Sequence, residues 1–159
     1  MRRNSDHSPI LTAASTVLAP IIFVMSLVLL WRGHNLPGGG FIGGLTAAGA
    51  VLLHAFGHGP EASLRLLANP IRWMVVGAAL AGLAGVAGWV FEGVFFAGVW
   101  LPDFTLPVIG TIHLGTFLPF DVGVYLAVTG FVIHCARALD EDYERDDAEE
   151  RRDKEEEVG

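Results

Sequence analysis

Within the apolar stretches of this 159-residue chain, few residues have the chemistry to hold a proton or a cation. Asp121 is the sharpest candidate. It follows Pro119-Phe120 at the start of an apolar run, and Tyr125 and Thr129 come four and eight residues later, on the same helical face. A carboxylate next to hydrocarbon is costly and faces protein or water. Asp121 could therefore attract a cation or line an entry path, with Tyr125 and Thr129 as a polar strip beside it. The competing reading is a helix-start carboxylate, stabilised by free N–H groups and the helix dipole. His54 shares a face with Gly43, Ala47 and Ala50. It is either a proton-carrying group, since imidazole is the side chain that titrates near neutrality, or a neutral histidine hydrogen-bonded across a helix contact.

Other chemistries find little support. His54 and His58 are four apart, but Gly57 and Gly59 interrupt the helix and no adjacent carboxylate or thiol completes a ligand set, so no metal site is expected. Cys135 is the single cysteine, which excludes an intrachain disulfide and a thiolate cluster. The glycine-rich run 38–44 lacks the Lys-Ser/Thr that would grip a nucleotide phosphate. No Ser-His-Asp spacing or pair of carboxylates forms a catalytic set, and no cofactor is expected. The acidic residues concentrate at one end. Residues 140–159 carry a net charge of −8 and residues 1–139 a net of +1, so no basic surface for nucleic acid exists.

The elements that must position these residues are membrane spans. Mean hydropathy is +0.50 and 52% of residues are hydrophobic. Residues 11–31 contain no charge and are long enough to cross a hydrocarbon core of ~30 Å. The run exceeds the apolar core of a signal peptide and has no cleavage pattern after it, so it reads as a first transmembrane helix, kinked at Pro20. Further spans are predicted at about 38–56, 71–91 and 120–139. Asn69-Pro70 and Leu118-Pro119 mark entries, and Gly57-His58-Gly59-Pro60 marks an exit. Arg2, Arg3, Arg65, Arg72 and Arg137 fall on one side and only Arg32 on the other, so both termini are predicted to be cytoplasmic. The loop 92–119 has no Lys or Arg, and two short β segments joined by a turn fit its residues 104–113. The expected fold class is thus an all-α membrane protein. Residues 1–139 form a four-helix transmembrane domain and 140–159 a charged tail, solvated by default or extending the fourth span as a helix.

Small residues are expected to glue the helices, because lipid tails offer apolar helices no reason to hide from solvent. Gly39/Gly43, Gly40/Gly44 and the set Gly77, Ala81, Gly85 and Gly88 give two smooth stripes. Two stripes in a four-span chain suggest an external partner. Ahead of them, His34 and Asn35 could cap the second span or meet that partner, and Pro37 anchors the turn.

The segment Arg32-Gly33-His34-Asn35-Leu36-Pro37-Gly38-Gly39-Gly40-Phe41-Ile42-Gly43-Gly44 resembles the turn motif of the B-type component of Mrp/Mnh multisubunit Na+/H+ antiporters. A second match lies in residues 107–116 and 120–125, and the resemblance spans roughly 10–139. It implies a non-catalytic member of a plasma-membrane complex of A-, B-, C-, D-, E-, F- and G-type subunits that exchanges cytoplasmic Na+ for external H+. His34, Asn35, Pro37, Gly38, Gly39, Gly40, Phe41, Gly43 and Gly44 would shape a subunit contact, and Asp121, Tyr125, Thr129 and His54 are the ion-route candidates. The chain has no Lys before Lys154 and no acid well inside a span, so it is not expected to be a self-sufficient antiporter. The alternatives are an assembly-only subunit, the equivalent module of a membrane-bound hydrogenase or respiratory complex, and a small membrane enzyme using His54 or His113.

Overall fold

A computed structural model of the chain describes residues 9–33, 38–59, 69–93, 104–106, 110–112 and 117–158. Four helices dominate: α1 (Pro9–Arg32), α2 (Gly40–His58), α3 (Pro70–Glu92) and α4 (Phe117–Val158). All four are long and apolar enough to cross a membrane. Their ends follow from local chemistry. Pro70 occupies a first-turn position of α3, where its missing N–H costs little, and the Asn69 side chain accepts from the Arg72 N–H at 3.3 Å. α3 stops at Gly93, which has φ 72° and returns its N–H to the Trp89 carbonyl. Pro20 lies inside α1, which continues as helix on both sides of it. Between α3 and α4, the strands β1 (Phe104–Leu106) and β2 (Gly110–Ile112) pair antiparallel, with Thr105 opposite Thr111.

α4 differs from the expected fourth span at both ends. It begins at Phe117, a turn early, because Pro119 fits inside a first turn. It also runs unbroken to Val158, 42 residues in all or about 63 Å. The residues after Leu139 are therefore helical. They are exposed almost throughout, and spaced opposite charges support them, as in the Glu150–Lys154 and Asp142–Arg145 pairs. The Lys154 ammonium holds the Glu150 carboxyl below its usual range, by hydrogen bond first and by charge second. That support is present at neutral pH and is lost as acid protonates Glu150.

The helices pack in the spatial order α1–α2–α4–α3. α2 and α4 run in the same direction: Gly40 abuts Asp121, Gly44 abuts Tyr125, and Ala55 shares a core with Ile133 further along. Among the described residues α3 touches α4 and neither α1 nor α2, while α1 meets α4 only narrowly. Both small-residue stripes are consumed by this arrangement. Gly40, Gly43, Gly44 and Ala47 are buried between α2 and its neighbours, and a Cβ at Gly44 would lie 2.7 Å from the Tyr125 carbonyl oxygen. On the other side of α4, a Cβ at Gly123 would lie 2.7 Å from the Gly77 carbonyl oxygen. The stripes thus do not carry the external contact expected of them, because α1 and α4 together take up the stripe of α2 and α4 takes up that of α3. The faces left open are bulky ones, including Trp31, Phe41, Phe56, Leu83 and Trp89.

Gly77 and Gly82 both lie in α3 but differ in surroundings: a Cβ at Gly77 would lie 2.5 Å from the Gly123 oxygen, and one at Gly82 meets nothing within 4 Å. Gly77→Ala is expected to cost about 1–3 kcal/mol through forced separation of α3 from α4. Gly82→Ala is expected to be neutral or stabilising by up to about 1 kcal/mol. Thermal melting of the full chain extracted in detergent separates the two.

Candidate functional site

The polar side chains inside the spans form a seam that follows α4 and then the inner edge of α1. At the start of α2 and α4, Gly33 at the end of α1 and Gly39 ahead of α2 lie beside Asp121, and neither has a side chain. A Cβ on Gly33 would stand 3.2 Å from Asp121 Oδ2, and one on Gly39 would stand 3.5 Å from Oδ1. The carboxylate therefore lies against bare backbone from two segments. Gly39 has φ 93° and ψ −175°, a conformation reserved for glycine, and its N–H donates to the Leu29 carbonyl at 3.1 Å. Gly40 touches the Asp121 backbone carbonyl directly. Because α4 starts at Phe117, Asp121 lies past the first turn, so it is not the helix-start carboxylate that the sequence left open. It is half-buried.

One turn further along, Tyr125 is 8% exposed and its hydroxyl lies 3.0 Å from Ser26 Oγ of α1. Thr129, one turn beyond, donates to the Tyr125 carbonyl at 2.7 Å and also lies 3.1 Å from the Gly44 carbonyl. Asp121, Tyr125 and Thr129 do share an edge of α4, as their spacing requires. The two hydroxyls, however, are engaged inside the protein.

His54 is not part of this group. It lies ~21 Å along α2 from the Gly40–Asp121 contact at ~1.5 Å per residue. Its ring stacks on His58, with centroids 4.1 Å apart and planes inclined by 25°. The His58 ring is held by α1: Thr16 Oγ1 lies 3.1 Å from Nε2 and Ser15 Oγ 3.4 Å from Nδ1, while the His54 carbonyl lies 3.3 Å from Nδ1. Thr12 Oγ1 donates to the Gly57 carbonyl at 2.7 Å and ties the same two helix ends together. The two imidazoles thus stack face to face, and no group of three or more metal-binding side chains occurs among the described residues.

The glycines of the turn motif divide from its aromatic residue. Gly38, Gly39, Gly40, Gly43 and Gly44 pack within the chain, whereas Phe41 is 61% exposed. His34, Asn35, Pro37 and His113 lie outside the described residues. Reasoning from sequence missed the α1 side of the seam. Ser15 and Ser26 are fully buried, and with Ala19 they fall at offsets of four and eleven, the spacing of a helix-contact face. That spacing was the available signal.

Comparison with known proteins follows the same residues. The family model described as a domain related to the MnhB subunit of Na+/H+ antiporter matches residues 10–134. The chain is similar to the B-type Na(+)/H(+) antiporter subunit of Bacillus subtilis, 33% identical over 145 residues, covering 89% of this chain and 99% of that one. It is 35% identical over 121 residues to the probable K(+)/H(+) antiporter A/B subunit of Rhizobium meliloti, covering 76% of this chain and 12% of that much longer one. Among solved structures it is similar to a chain of the Mrp complex from Dietzia sp. DQ12-45-1b, with TM-score 0.66 and 32% identity, covering 78% of this chain and 13% of that chain.

Gly39 provides a local check. Gly39→Ala forces a side chain into a glycine-only conformation beside the Asp121 carboxylate. The substitution is expected to cost about 1–3 kcal/mol, read as a lowered melting temperature, whereas Gly49→Ala, where a Cβ meets nothing within 4 Å, should leave it within error.

Proposed function

We propose a role for this chain, which belongs to the family of domains related to the MnhB subunit of Na+/H+ antiporters: it is the B-type member of a multisubunit Na+/H+ antiporter that exchanges cytoplasmic Na+ for external H+. It is a multi-pass membrane protein that works without catalysing a covalent reaction. Its place is the plasma membrane, with both termini and the charged extension of α4 on the cytoplasmic side. The unequal distribution of Arg supports that orientation. The A-, C-, D-, E-, F- and G-type subunits are its partners.

The observation that carries the functional reading is the placement of Asp121. It is the only acid within the described helices before the charged extension, apart from Glu92 at the end of α3. Its carboxylate lies beside the uncovered backbone of Gly33 and Gly39. A carboxylate flanked by backbone with no intervening side chains gives a cation a short approach to its oxygens. Asp121 contributes those oxygens to an ion route completed by other subunits. Tyr125 and Thr129 hold the helix edge that carries it, and His54 is the candidate group at the other end of α2. A single such acid is too little for a whole transport cycle, in keeping with a chain that works in company. Exposed Phe41, with the sequence motif that includes His34, Asn35 and Pro37, forms the contact with a neighbouring subunit.

An assembly-only role is the second reading, favoured by how much of the glycine motif goes into internal packing. Antiport in everted vesicles from a strain lacking the chromosomal copy distinguishes them. Asp121→Asn is expected to assemble normally and to lower Na+-dependent H+ exchange about tenfold or more. Phe41→Ala is expected to lower the amount of assembled complex. Normal exchange in assembled Asp121→Asn would leave the assembly-only reading. For orientation, protease added to everted vesicles should remove residues beyond about 140, and protease added to intact spheroplasts should not.

A further inference from the structure

Ser26 is a fully buried hydroxyl within the otherwise apolar stretch 17–31 of α1, and the proposed ion route does not use it. Its hydrogen is committed: Ser26 Oγ donates to the Phe23 carbonyl at 2.6 Å. A serine hydroxyl has one hydrogen. The 3.0 Å contact with Tyr125 is therefore made by the tyrosine O–H donating to Ser26 Oγ. This bond joins α1 to α4, two helices that otherwise meet only narrowly. It crosses α2 at Gly43, where a Cβ would lie 3.0 Å from the Ser26 carbonyl oxygen and 3.2 Å from Tyr125 Cδ2. Gly43 is thus the opening through which the tyrosine reaches the serine. From that bond Asp121 is one turn along α4, and Gly33 is two turns along α1. Gly33 and Asp121 are the groups that meet at the carboxylate.

We infer that Ser26 is a positioning residue for the cation step: by accepting the Tyr125 hydroxyl through the Gly43 opening, it sets the axial register of α1 against α4 and so the placement of the Asp121 carboxylate against Gly33. The inference rests on the proposed part of Asp121 in the ion route. Losing the bond lets α1 slide relative to α4. The carboxylate remains present but is less well placed, so cation binding suffers before turnover does.

The test uses the complete complex in proteoliposomes, with apparent KM for Na+ and kcat measured separately for the wild type, Ser26→Ala, Tyr125→Phe, the double variant and Asp121→Asn. Tyr125→Phe removes one oxygen and keeps the ring, so it remains informative where Ser26→Ala assembles poorly. The expected result is an apparent KM raised about three- to tenfold in each single variant and by the same factor in the double, with kcat within about twofold. Loss of one shared bond predicts that equality. A role in packing alone would lower the melting temperature and leave KM unchanged, and removing both partners would restore much of the stability. An unchanged KM in assembled Tyr125→Phe, or factors that multiply in the double variant, would overturn the inference while leaving Asp121 in the route. An unchanged KM and kcat in Asp121→Asn would overturn the route reading itself, and the positioning role with it.

Discussion

Backbone against backbone is the contact on which the rest of this molecule depends. Within lipid, an apolar helix has no solvent to escape, and helices associate through close packing and polar contacts. α4 meets α2 along Gly40 and Gly44 on one side, and α3 along Gly77 on the other. At each of these places the partner is a main-chain atom of α4, too near to admit a methyl group. The positions of Asp121, Tyr125 and Thr129 are set by that fit. The row α1–α2–α4–α3 has its most polar helix edge at its centre, flanked by its smallest residues.

The same closeness makes the buried hydroxyls workable. A lone hydroxyl in hydrocarbon is costly, and each one described here has a protein acceptor. Ser26 and Ser15 return their hydrogens to carbonyls of the preceding turn of α1, and Thr129 does so on α4. Tyr125 reaches across to a serine, and Thr12 reaches across to the end of α2. The carboxylate of Asp121 stands apart from this hydroxyl network, next to glycine backbone, in keeping with its proposed part in meeting a transported ion.

The sequence was informative wherever a short stretch decides the outcome. Apolar length and the breakers flanking it located all four spans, Asn69-Pro70 marked the start of α3, and the spacing 121, 125, 129 placed three polar groups on one edge. It was less informative where the partner lies far along the chain. Hydropathy requires every span to be in lipid but does not say which neighbour each face meets. The stripes of α2 and α3 thus pointed outward on paper, and both proved to be taken up inside the chain, by α1 and α4 for α2 and by α4 for α3. Ser26 and Tyr125 are separated by 99 residues, and neither carries a local mark of the other. The early start of α4 was hidden by Pro119, which reads as a boundary but is tolerated in a first turn. The helical state of the charged segment depends on many weak spaced pairs, which composition alone does not resolve.

The unbroken course of α4 has a mechanical consequence. About 63 Å of helix, from Phe117 to Val158, contains no glycine or proline after Gly130 and therefore no built-in hinge beyond the lipid. Whatever grips the charged half takes hold of a stiff shaft whose far end carries the carboxylate. Twisting or tilting there would be felt inside the bilayer as motion of the whole rod, with the glycine contacts of α2 and α3 as its bearings.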